Sequence, residues 1–157
     1  MIYNAISLWQ PWASLIALGA KRYETRSWPT NYRGPLLICA GKHFDAQCRQ
    51  LCDTEPFRLA LSPLRIGKNT DLPCGQALCL VDLKHCWEID ELNLSRLHRG
   101  YVHREPLPSE REQAFGDFGV GRFAWELENV RPIKPFAVSG MQRIFKVDID
   151  AKLLESK

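Results

Sequence analysis

The segments Ser7-Leu8-Trp9-Gln10-Pro11-Trp12-Ala13 and Gly19-Ala20-Lys21-Arg22-Tyr23-Glu24-Thr25-Arg26-Ser27-Trp28 are the most informative part of the chain. Residues 5–9 alternate briefly between apolar and polar, which predicts a short strand. Pro11 suits the first position of a helix, because its missing N–H would be unpaired there anyway. Trp12, Leu15, Ile16 and Gly19 recur at the spacing of one helical face, so a helix is predicted over residues 11–18, with Gly19 closing it. Residues 21–28 alternate again and carry Tyr, Thr and Trp, which suits a strand. On a strand, side chains alternate with period two, so Glu24, Arg26 and Trp28 share one face. Lys21 sits at the turn from helix to strand. Two cations, a carboxylate and an indole thus gather at one backbone corner.

That group fits nucleic-acid chemistry. Lysine and arginine hold phosphates or base carbonyls, and the carboxylate can accept from an exocyclic amine. An indole offers a stacking face worth about 1–3 kcal/mol per base. A lysine beside Arg22 and Arg26 can also have a lowered pKa and act as a base. The same residues equally fit an exposed strand with cross-strand ion pairs, each worth about 0–1 kcal/mol. Other catalytic signatures are missing. His43, His85, His98 and His103 have no spacing that marks a triad or a zinc protease, and no G-x-S-x-G occurs. His98 and His103 read as solvated, and so does the charged run 105–112. The tryptophans read as core or pocket wall, with Trp9 and Trp12 packing the helix start.

Beyond this corner, 29–31 is a turn and 36–40 a buried strand. Residues 43–61 have helical spacing with a break at Pro56. Residues 61–73 are a polar connection. Residues 75–87 form a strong strand with Ala77, Cys79, Val81 and Leu83 on one face. A short helix starts at Asp90, with Leu92, Leu94 and Leu97 apolar, and 99–119 reads as a long loop. Residues 122–133 are a strand with Phe123, Trp125 and Leu127 on one face, ended by Pro132 and Pro135. A last strand spans 143–149. There is no βαβ period, G-x-G-x-x-G or P-loop, which argues against a parallel nucleotide-binding sheet. The reading is α+β: a small, mostly antiparallel sheet or barrel with helices outside it.

The 157 residues are enough for one domain with its own core. At 45% hydrophobic and 25% charged residues, the composition is that of an ordinary globular protein. No run of apolar residues is long enough to span a bilayer, and the opening segment lacks a basic region ahead of its apolar stretch, so no membrane partner or secretory leader is expected. A cytoplasmic location follows as the expectation. The six cysteines read as reduced, buried thiols rather than a disulfide framework. A zinc site at Cys39, His43, Cys48 and Cys52 has suitable ligand types but unfamiliar spacing, and no metal or cofactor is assigned. The net charge is +3. Residues 19–34, with Lys21, Arg22, Arg26 and Arg33 against Glu24, account for all of it, which suggests a neutral scaffold with one basic cleft.

The motif Ser7-Leu8-Trp9-Gln10-Pro11-Trp12-Ala13, then Gly19-x-Lys21-x-x-Glu24-x-Arg26 and Arg33-Gly34, resembles the opening of an ASCH domain, of the PUA-like superfamily. Phe115-Gly116-Asp117-Phe118, Gly121-Arg122-Phe123-Ala124-Trp125-Glu126-Leu127 and the stretch from Pro132 to Val147 resemble the final third of stand-alone bacterial and phage members. The resemblance implies a single domain over 1–157, a PUA-like barrel of five or six strands with two or three flanking helices. It also implies a cleft for single-stranded RNA or another nucleic acid or nucleotide. Gln10, Trp12, Lys21, Arg22, Glu24, Arg26, Trp28, Tyr32 and Arg33 are its candidate binding residues, in a monomer. If the chain is an enzyme, a ribonuclease or an acetylcytidine amidohydrolase, Lys21 and Glu24 are the candidate catalytic pair. In the amidohydrolase-like members a threonine stands three residues after the motif lysine. Here that position is Glu24.

Overall fold

The computed structural model describes residues 1–64, 71–91 and 108–154. Six strands run in chain order: β1 Ile2–Leu8, β2 Tyr23–Arg26, β3 Gly34–Ala40, β4 Gln76–Glu88, β5 Phe123–Ala137 and β6 Phe145–Asp148. Four short helices are described with them: α1 Trp12–Ala17, α2 Ala46–Leu51, α3 Phe57–Ala60 and α4 Glu110–Ala114. The expected helix from Asp90 lies almost wholly outside the described residues, as do His98 and His103.

The strands form one mixed sheet in the order β2-β5-β4-β3-β1-β6. β1 runs parallel to β3, while the β1–β6, β2–β5, β3–β4 and β4–β5 pairs are antiparallel. The α+β class is therefore as expected, but the expected barrel is not found: among the described residues the sheet is open, with β2 and β6 as its two edges and no pairing between them. Curling still brings its ends close. The Arg26 guanidinium, at the end of β2, donates to the Ser7 carbonyl of β1 at 2.8 Å. β6 pairs with β1 only over residues 2–5, so it stops short of Ser7.

Hydrophobic clusters lie on both sides of the sheet. Ile6, Leu36, Ile38, Val81, Leu83 and Trp125 pack with Ala13 and Ile16 of α1. Ala5, Leu37, Cys39, Leu80, Ile133 and Phe145 form a second cluster. β3 is buried on both faces, which is why residues 36–40 are apolar without alternation. Ala77 belongs to the second cluster and Cys79, Val81 and Leu83 to the first. A register shift between Ala77 and Cys79 separates them, correcting the expectation of one common face.

Two further corrections concern β5 and the long loop. β5 continues through Pro132 and Pro135 to Ala137. Among the described residues β2 pairs with β5 over residues 123–126 and the Leu127 N–H donates to the Arg22 carbonyl at 2.8 Å; beyond there no strand pairs with that edge of β5, which tolerates residues without an N–H. The predicted loop 99–119 contains α4, capped by Ser109, whose Oγ accepts from the Glu112 N–H at 3.2 Å.

Candidate functional site

α1 and the turn after it place the motif. Gln10 is fully buried. Its Oε1 accepts from the Ser14 N–H at 3.1 Å and its Nε2 donates to the Pro73 carbonyl at 2.6 Å. Gln10 thus braces the helix start through both ends of its amide. At the other end Gly19 has φ +72, a left-handed conformation that favours glycine. The Gly19 N–H donates to the Ile16 carbonyl and the Ala20 N–H to the Leu15 carbonyl, both at 2.9 Å. This is the glycine-closed helix end that lets the chain reverse into β2.

Lys21, just past this turn, is 1% exposed. Its ammonium donates to the Tyr23 carbonyl and lies 3.7 Å from Glu24 Oε2. Burial lowers its pKa from the usual lysine value, and the Glu24 and Glu112 carboxylates oppose that shift only in part. Glu24 Oε1 meets Arg26 Nε at 3.1 Å in an ion pair. One carboxylate therefore lies between a buried ammonium and a half-buried guanidinium.

Glu112 completes this corner, although its sequence context reads as solvated. It is 7% exposed. Its carboxylate accepts from the backbone N–H groups of Arg22 and Tyr23 at 2.9–3.1 Å. The readable signal was Ser109-x-x-Glu112, the spacing of a helix capping box. Its glutamate here reaches the start of β2 instead of its own helix end.

Three adjoining cavities form a cleft along this corner. The first, about 370 Å³, is lined by Trp12, Lys21, Glu24, Thr25 and Phe115 among others. The second, about 410 Å³, shares Trp12, Glu24 and Thr25 and adds Arg26, Trp28 and Arg122. The third, about 670 Å³, shares Ser7, Trp9, Arg26 and Trp28 with the second and extends to Lys42, His43 and Arg143. Trp12, Lys21, Glu24, Arg26 and Trp28 are thus brought together. Arg22, Tyr32 and Arg33 line none of these cavities. The Arg22 side chain is exposed. Tyr32 donates its hydroxyl to the Pro35 carbonyl, and Arg33 folds back onto the carbonyls of Thr30 and Tyr32 at 2.9 and 2.7 Å. Thr25 Oγ1 accepts from the Asp117 N–H at 3.1 Å.

The sequence reading missed the far side of the cleft. Trp9, expected to be packed, is 56% exposed and lies against His43 with ring centroids 4.0 Å apart. Arg143 stands over Trp28 at 5.5 Å from the ring centre. The suggested zinc ligands do not converge: Cys39 lies in the second core cluster and Cys52 with α3 and Leu15. His43, Asp45 and Cys48 do converge, as a helix cap: Asp45 accepts from the Cys48 N–H at 2.9 Å and pairs with His43 at 3.0 Å. All six cysteines are free.

The ASCH domain profile matches residues 6–136. The chain belongs to the ASCH domain family. It is 39% identical to mouse (Mus musculus) Activating signal cointegrator 1 over 82 residues, covering 52% of this chain and 14% of that protein. The Homo sapiens protein of the same name is 36% identical over 81 residues, with the same coverage. This ASCH chain thus spans a small part of the length of those relatives. Among solved structures, the ASCH protein of Zymomonas mobilis superposes with TM-score 0.51 at 18% identity, covering 93% of this chain and 87% of that one. A single-residue variant of the Zymomonas protein gives TM-score 0.50 at 19% identity, with coverages of 93% and 88%. These likenesses support the fold. Among the described residues, no helix is long and apolar enough to cross a membrane.

Proposed function

We propose that this ASCH domain binds single-stranded nucleic acid, RNA foremost, as a single cytoplasmic domain acting as a monomer. The observation that carries the reading is the position of Arg26. It forms a wall shared by two of the cavities, beside the indole of Trp28 and the carboxylate of Glu24. A guanidinium, a stacking face and an acceptor within one cleft are contacts by which a splayed nucleotide is held. Binding of a labelled single-stranded oligonucleotide should weaken with salt, by a log–log slope of about −0.7 for each phosphate contact. A slope near zero overturns phosphate-led recognition.

A second reading, hydrolysis of RNA or a modified nucleoside, is favoured by the buried Lys21 amine with its lowered pKa beside Glu24. In this reading the neutral Lys21 amine takes a proton from the water that attacks the substrate, and Glu24 holds the ammonium that results. Turnover of single-stranded RNA or 4-acetylcytidine that disappears in Lys21→Met supports it. Turnover that survives the substitution excludes this site.

A further inference from the structure

The largest cavity of the cleft contains little of the Gly19–Arg26 motif. Only Arg26 belongs to that segment; Trp9, Lys42, His43, Met141 and Arg143 come from three other parts of the chain. Among the described residues no aspartate or glutamate lines it; Arg26, paired with Glu24 at 3.1 Å, forms its inner wall, and Lys42 and Arg143 bring two further positive charges. Trp9 offers the largest exposed aromatic face there, and His43 holds its ring from one side. Asp45 stands behind His43 and is occupied by the cap of α2 and by the imidazole. Ser7 Oγ, at the boundary with the second cavity, has no hydrogen-bond partner among the described residues. Gly140 closes over it, and a Cβ at that position would stand 2.4 Å from Ser7 Oγ.

We propose that this lobe is a second nucleotide subsite: the base of the next nucleotide stacks on Trp9 and the intervening phosphate lies among Arg26, Lys42 and Arg143. The ligand is then a chain of at least two nucleotides, entering at the Lys21–Glu24 end and leaving past Trp9. The argument rests on the single-strand reading above and extends it. A nucleobase stacks on any flat aromatic face, and a wall of cations suits the polyanionic backbone. The volume, about 670 Å³, is that of a ligand-sized site.

The test compares uridine monophosphate, the dinucleotide UpU and hexauridylate, with the matching thymidylates, on wild type, Trp9→Ala and Lys42→Ala. Affinity is expected to climb from mononucleotide to dinucleotide. Trp9→Ala should erase the climb, by between about five-fold and about a hundred-fold. Lys42→Ala should flatten the salt slope for the longer strands by about 0.7. The ribose and deoxyribose series separate RNA from DNA. Equal affinity for one nucleotide and for two, or oligonucleotide binding indifferent to both substitutions, overturns the second subsite and leaves the first reading standing. Binding of no strand at low salt overturns both. Both substituted residues are exposed, and an unchanged circular dichroism spectrum verifies that the variants fold.

Discussion

Lys21 keeps an ammonium group out of water with a peptide carbonyl as acceptor and one carboxylate 3.7 Å away. Its pKa is lower in the fold than the ordinary 10.5, so between the two values the unfolded chain holds a proton that the folded chain has released. Stability therefore rises with pH through that window. The unfolding free energy of wild type relative to Lys21→Met should grow as pH approaches 10.5, which urea melts of both proteins will show. A flat difference would contradict the burial argument. The motif itself was legible, because period-two alternation and a helix-closing glycine are local properties. The fate of each cation was not. Arg22, Arg26 and Arg33 look alike in sequence, yet only Arg26 enters the cleft. Arg33 bends back onto its own loop through two carbonyls. The +3 charge of residues 19–34 thus coincided with the whole-chain value, while the open lobe owes its unpaired charge to Lys42 and Arg143 rather than to Arg26, which Glu24 pairs.

α4 is a helix of five residues that stabilises the site from a distance. Through Glu112 it supplies the acceptor for two N–H groups at the start of β2. Removing that carboxylate leaves both donors without it, so Glu112→Ala should lower stability by about 2–3 kcal/mol in denaturant melts. Glu110→Ala, exposed at the same helix's first turn, should cost less than about 1 kcal/mol. Equal losses would remove Glu112 from this role. Elements with a local pattern of their own were readable from sequence: α1, β4 and the start of β5 by periodicity, β3 by its continuous apolar run. Those decided by neighbours were not. β2 is a four-residue strand set by its pairing with β5, and β5 passes two prolines where, among the described residues, no strand pairs with its outer edge.

The whole molecule has an alkaline weakness in its core. Burial raises the Cys39 and Cys79 thiols from 9.0 to about 12. Between those values the unfolded chain has lost protons the folded chain keeps, so stability is full below pH 9.0 and falls above it. The slope should reach about 1.4 kcal/mol per pH unit for each thiol. In Cys39→Ala with Cys79→Ala it should flatten, whatever the offset from the cavities left behind. An unchanged slope would assign the loss to other groups. The sheet's pairing order has another consequence, which belongs to synthesis. β2 leaves the ribosome about a hundred residues before β5, its one strand partner among the described residues. Until β5 appears, the lysine, glutamate and arginine of the motif have no sheet to hold them in line. β1 and β3 can meet long before that. The cleft is therefore among the last parts of a nascent chain to take shape, and an incomplete chain would display the motif without the geometry that gives it a use.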